Sequence, residues 1–363
     1  MVAGPVAVRA GHQVAAGPSR ARHGVRKGRS RHVRKNKRGH AVTVISHRGA
    51  SGHRPEHTLA SYRLGARYGG DFIETDLVAT ADGVLVARHE PEIGGTTDVA
   101  GRPEFADRRT TRTIDGTEHT GWFVQDFTLA ELKTLRATER IPDLRPENAS
   151  YDGEYEIPTL DEIIALAREL TAELGRPIGV YPETKHPAYH VSQGLELEPP
   201  LAEALRAAGL SGPEPEVPVF LQSFEAESLK KLAPLELPLV LLLDSGEERF
   251  TTPEGLAEAA GFAQAIGPAK ELVIPRAEDG SLAEPTGLVE AAHEAGLLVH
   301  PYTFRSENHF LPADLRSGGE PTGYGSFAAE YEAFFAAGVD GVFTDHSRHA
   351  YLAREIFEES QGG

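Results

Sequence analysis

Within residues 44–90 the chain VISHRGASGHRPEHTLASYRLGARYGGDFIETDLVATADGVLVARHE carries His47, Arg48, Glu74, Asp76 and His89 at or near the ends of short apolar runs. In FIETDL, alternate side chains of an extended strand share a face, so Glu74 and Asp76 point the same way. Two carboxylates side by side and away from bulk water repel, and keeping both ionised is costly unless a cation sits between them. A hard divalent ion with oxygen ligands is the simplest occupant. Histidine titrates near neutrality and can act from either protonation state, so His47 and His89 are suited to acid and base work on a bound anion.

Further groups of this kind follow at later strand ends. In PIGVYPETK, Glu183 and Lys185 share a face with Tyr181, which places a third carboxylate and an ammonium at the same mouth. Glu183 reads either as a third metal carboxylate or as the partner of Lys185. LQSF places Gln222 and Ser223 at a strand end, and HPYTFRSEN places Tyr302, Thr303 and Arg305 at another. Gly49 lets backbone or ligand come close. Glu56, in the PEHT step, reads either as a helix cap or as a carboxylate that orients His47 or Arg48. His53 and His57 read as capping or packing residues, and Asp345 as a helix cap or a support for the site.

In order and spacing, HRGASGHRPEHT (47–58), ETDL (74–77), TADGVLVARHE (80–90), YPETK (181–185) and FTDH (343–346) resemble the glycerophosphodiester phosphodiesterase family. Together these motifs span almost the whole chain after residue 40. One departure is Glu90, where many members have Asp. The resemblance implies one divalent cation, Ca2+ or Mg2+, held by Glu74, Asp76 and Glu183. It implies His47 and His89 as an acid and base pair, Arg48, Lys185, Gln222 and Tyr302 as substrate or phosphate ligands, and Glu56 as a supporting carboxylate. The expected reaction is hydrolysis of a small glycerophosphodiester to sn-glycerol 3-phosphate and an alcohol. Whether a glycerol hydroxyl or water attacks first is open. Two rivals are cleavage of lysophospholipids or sphingomyelin at the choline side, favoured by a wide apolar groove, and a non-catalytic phosphate or cell-envelope binding barrel.

These residues need a scaffold that brings distant strand ends together. Strand patterns fall at 42–47, 71–78, 178–183, 217–223, 238–243, 271–275, 297–302 and 339–344, and helical patterns at 57–68, 159–174, 200–208, 224–233, 254–265, 285–295, 326–337 and 346–358. Eight β-then-α units predict an α/β (β/α)8 TIM barrel with function at the C-terminal strand ends. Residues 91–158, mostly polar and holding Trp122, interrupt the rhythm after the second strand. They are expected to form an inserted subdomain, as in the family, that serves as a wall or lid over the mouth or else as an elaboration with a small core of its own.

Composition bounds the rest. Residues 1–40 hold 11 of the 37 Lys and Arg and none of the 54 Asp and Glu, leaving the catalytic region 41–363 with a net charge of −28. The basic stretch reads as a solvated, disordered tail. An acidic body argues against nucleic acid as main partner. No apolar run approaches the roughly 20 residues that span a bilayer, so no stable membrane insertion is expected. No apolar core of a secretion signal stands in the tail, while the resemblance favours a secreted or periplasmic location, with the cytoplasm as alternative. The chain has no cysteine, which excludes disulfides and thiolate metal sites. Oligomeric state is not encoded in any of these patterns.

Overall fold

The computed structural model describes residues 42–361; the expectations for residues 1–40 lie outside them. In chain order the strands are β1 (Thr43–Ser46), β2 (Phe72–Ala79), β3 (Leu85–Ala87), β4 (Thr110–Ile114), β5 (Thr117–Gly121), β6 (Gly179–Thr184), β7 (Leu221–Ser223), β8 (Leu239–Leu243), β9 (Ala265–Pro268), β10 (Leu298–Val299) and β11 (Gly341–Thr344). Eight of them form a parallel sheet in the order β10-β9-β8-β7-β6-β2-β1-β11, and β3 adds an antiparallel arm to β2. Backbone bonds close the sheet on itself. Asp340 N donates to Val299 O at 2.9 Å, Phe343 N to Pro301 O at 3.0 Å, and Phe304 N to Phe343 O at 2.8 Å. With a helix after each strand, this is the expected (β/α)8 TIM barrel.

The strands are short and apolar because both faces are covered; β8, LVLLL, is buried throughout. Local signals set the helix ends. Thr159 and Glu162 form a capping box on Leu160–Leu174, and Gly175 ends that helix at φ 64°. Helix Phe327–Ala337 ends likewise at Gly338, φ 99°. Inside the barrel, Ile45, Tyr181, Val240, Ala265 and Phe343 pack together with Phe72, Phe220, Leu298 and Tyr302. This plug closes the barrel interior and leaves the polar strand ends at its C-terminal rim.

One strand differs from its expected place. The run at 271–275 is rich in Val and Ile and reads as β, yet Lys270–Val273 is a single helical turn and the strand is AIGP, Ala265–Pro268. Its Gly and Pro disguise it. Gly267 leaves room for Leu242, whose Cδ2 would stand 2.6 Å from a Cβ at that position.

Between β3 and helix Leu160–Leu174 lie short 3-10 turns, the β4–β5 hairpin and two single-turn helices. Asp115 and Gly116, both at positive φ, make the hairpin turn. Ile93, Val99, Phe105, Val124, Phe127, Leu132, Leu135 and Ile157 form a core that continues onto Val78 of β2 and Val86 of β3, with Trp122 packed against it. The indole Nε1 donates to Phe105 O at 2.7 Å.

Candidate active site

Strand register assembles the acidic groups. Asp76 on β2 stands opposite Glu183 on β6, and Glu183 opposite Gln222 on β7. Glu74 lies two residues before Asp76 on the same face. All three carboxylates are buried, and one oxygen from each lies within 4.8 Å of the others. Burial, then repulsion from Asp76 and Glu183, pushes Glu74 well above the usual carboxylate range. Burial also pushes Glu183 to about 8, despite Lys185 Nζ at 2.9 Å. Burial works against the charge of Asp76 as well, but Lys185, His57 and His89 outweigh it and hold Asp76 well below its ordinary value.

Two of three clustered carboxyls driven toward protonation is the condition that a cation relieves, and an all-oxygen set suits a hard divalent ion. Gln222 adds to the fit. Its Nε2 donates to Glu74 Oε1 at 3.0 Å, while its buried Oε1 has no hydrogen-bond partner. Glu74, Asp76 and Glu183 are therefore the residues that would hold the ion.

Asp76 is fixed by a residue whose role the sequence concealed. His57 is fully buried, with Nε2 2.9 Å from Asp76 Oδ2 and Nδ1 2.8 Å from the Tyr62 hydroxyl, which itself donates to Thr75 Oγ1 at 2.9 Å. Capping of helix Leu59–Arg67 falls instead to Thr58, whose side chain accepts from Ser61 N. Glu56 is neither a cap nor in contact with His47. Its carboxylate accepts from Arg48 Nη1 at 3.1 Å and from Arg140 at 2.7 and 2.8 Å.

The His-Arg-Gly step is a tight turn, with Arg48 at φ 58° and Gly49 at φ 88°. A side chain at Gly49 would meet Ser61 Oγ at 2.4 Å, so the turn needs glycine. This turn aims the Arg48 amide at Glu74 Oε2, 2.7 Å away, and brings its Nε to 3.5 Å from Asp76 Oδ2.

Each of the two histidines leans on a carboxylate through Nδ1. His47 Nδ1 is 2.6 Å from Asp345 Oδ1, and His89 Nδ1 contacts Glu90 Oε2. Nε2 remains as the nitrogen for the cavity. Burial, reinforced by Arg48, lowers His47 to about 4, against the opposing pull of Asp345. Burial, Arg48 and Lys185 lower His89 to about 3. Asp345 thus supports the site rather than capping a helix.

His47, Arg48, Glu74, Asp76, His89, Glu183, Lys185, Gln222 and Tyr302 all line one cavity of about 360 Å3. Of the other residues singled out in the sequence, Glu56, His57, Ser223 and Asp345 stand behind this wall, and His53 lines a different cavity. Tyr302 contributes its ring, because its hydroxyl donates to Leu243 O at 3.0 Å. Thr303 and Arg305 also line the cavity, and Arg305 Nε donates to Asp345 Oδ2 at 2.8 Å. Arg140 and Arg145, which grip the supporting carboxylates, had no sequence signal. They lie in an aperiodic polar stretch, and their partners are distant in the chain.

A barrel with buried carboxylates and two cavity-facing histidines at its C-terminal rim belongs to a class of α/β-barrel enzymes, and the comparisons place it within that class. Residues 47–349 match the model of the glycerophosphoryl diester phosphodiesterase family. The chain is 35% identical to a glycerophosphodiester phosphodiesterase of Arabidopsis thaliana over 86% of each chain. It is 32% identical to one of Bacillus subtilis over 84% of each. Among solved structures, an Oleispira antarctica phosphodiesterase in complex with the product sn-glycerol-3-phosphate shares the fold with TM-score 0.58 at 20% identity, over 87% of this chain and 97% of that one. The chain belongs to the glycerophosphoryl diester phosphodiesterase family and is a phosphoric diester hydrolase.

Proposed function

We propose that this enzyme hydrolyses small glycerophosphodiesters, such as glycerophosphocholine or glycerophosphoethanolamine, to sn-glycerol 3-phosphate and the free alcohol, with one divalent cation, Ca2+ or Mg2+, and His47 and His89 as acid and base. The observation that carries this reading is the convergence of the acidic triad and both histidines on one cavity of about 360 Å3. Held by Glu74, Asp76 and Glu183, the ion would supply positive charge to the phosphoryl oxygens.

The chain's own groups do the rest. Arg48 and Lys185 neutralise the non-bridging oxygens as charge builds on them. Gln222 holds Glu74, and the Tyr302 ring walls the substrate. One histidine takes the proton of the attacking group, water or a glycerol hydroxyl, through Nε2 and the other protonates the leaving alcohol oxygen. On the hydroxyl route the cyclic phosphate so formed is then opened by water, with the two histidines exchanging roles, to give glycerol 3-phosphate. Burial keeps both imidazoles neutral at pH 7, which suits a base. A bound phosphodiester anion favours the imidazolium and so readies the acid. Mostly charged and polar walls favour a soluble diester over a lysolipid. The product complex of the Oleispira protein supports the same choice of product.

The test is the phosphorus NMR spectrum of products from glycerophosphocholine, lysophosphatidylcholine and sphingomyelin, each with and without chelator. Glycerol 3-phosphate from the first substrate, lost on chelation and restored by Ca2+ or Mg2+, is expected. Phosphocholine as product, chelator-resistant turnover or preference for either lipid overturns the reading.

A further inference from the structure

The supports behind His47 and His89 share a pattern. Asp345, which grips His47, accepts from Arg145 Nη2 at 2.7 Å. Glu90, which grips His89, meets Arg140 Nη1 at 2.9 Å. Both arginines come from one short segment between β3 and helix Leu160–Leu174, and each reaches a second target near the site. Arg140 also binds Glu56, the partner of Arg48. Arg145 also donates to Glu307 Oε1 at 2.7 Å and to Ser51 O, in the loop that follows His47, at 3.0 Å. The seam between this segment and the rim is ionic: a cavity of about 140 Å3 there is lined by His47, Arg48, Glu56, Arg140, Arg145 and Asp345 among others.

We propose that Arg140 and Arg145 are positioning residues, through which the inserted segment sets the orientation of both histidines. The proposal rests on the assignment of His47 and His89 made above. An arginine that held only the fold would have no reason to end on the carboxylate that supports a cavity histidine, yet Arg145 ends on Asp345 behind His47 and Arg140 on Glu90 behind His89. Lysine keeps the charge but cannot span two acceptors with a rigid fork, so it replaces arginine only in part.

The test uses the full chain saturated with Mg2+ or Ca2+ and glycerophosphocholine as substrate. R140Q, R140K, R145Q, R145K, E90Q, D345N and the doubles E90Q/R140Q and D345N/R145Q are assayed beside H47A and H89A, with melting temperature and glycerol 3-phosphate affinity measured for each. We expect R140Q and R145Q to lose about 10- to 100-fold in kcat, with KM and product affinity within about threefold. Lysine should restore part of the loss, and each double should be no slower than its carboxylate single variant, as for groups acting as one unit. Arg145 is buried, and its loss threatens folding. Arg140, with a third of its side chain exposed, then decides the question. Folded R140Q with kcat within about twofold of the parent, or additive losses in the doubles, overturns the proposal while H47A and H89A remain inactive. Normal turnover in H47A and H89A overturns the histidine assignment itself, and the arginine proposal with it.

Discussion

His47 and Asp345 are 298 residues apart in the chain and 2.6 Å apart through Nδ1 and Oδ1. They stand at the ends of β1 and β11, strands that pair in parallel with Ser46 opposite Thr344. Closing the barrel therefore builds the pair. Asp345 Oδ2 is occupied by Arg145 and Arg305, so Oδ1 is held toward the imidazole.

Replacing Asp345 with Asn keeps the shape and removes the charge. Turnover should fall at least about tenfold, as for supporting partners of site ligands. Stability should fall by about 3–5 kcal/mol, because two arginines lose a buried counter-charge. Steady-state kinetics and urea unfolding measure the two effects separately.

His47→Ala and His89→Ala should each lower kcat about 100-fold or more, with melting temperatures near that of the parent. Near-normal turnover in both would remove the acid and base assignment.

The acidic triad links metal, pH and stability. Glu183 is pushed up to about 8 from an ordinary 4.5. A folded value raised above the unfolded one contributes stability below pH 4.5, and that contribution is lost as pH rises through 8. Without a divalent ion the protein should lose stability across this window, and a bound ion should offset the loss. The melting-temperature difference between Ca2+ or Mg2+ and chelator should therefore grow from pH 6 to pH 8. A difference that shrinks or vanishes would count against a cation between these carboxylates.

A separate imidazole group carries the opposite sign. His349 stacks on Phe327 at 4.0 Å and on His346 at 5.3 Å. Burial and the neighbouring His53 lower His349 to about 4, and burial holds His346 well below 6.5. Their folded values lie below the unfolded one, so stability is complete above pH 6.5 and drains as pH falls toward 4. H349F should flatten the decline in melting temperature between pH 6.5 and 4.5; an unchanged slope would exclude His349 as a contributor.

Gly49→Ala places a side chain at φ 88° and 2.4 Å from Ser61 Oγ. A loss of about 1–3 kcal/mol is expected, together with reduced turnover, because the same turn aims Arg48. Urea unfolding and an activity assay on the folded fraction check both.

The sequence by itself determined the barrel and the inner ring of chemical groups. Alternation in FIETDL put Glu74 and Asp76 on one face, and the β-then-α rhythm placed His47 and Glu183 at strand ends; both are consequences of local periodicity. It misplaced β9, because a strand of Ala, Ile, Gly and Pro is recognisable only from what packs against it. Tertiary structure alone decided the outer ring. That Asp76 faces Glu183 depends on parallel register, that Asp345 meets His47 depends on barrel closure, and that Arg140 and Arg145 reach Glu90 and Asp345 depends on how the insertion seats. Those contacts join residues far apart in the chain, where no local periodicity records which charge will find which.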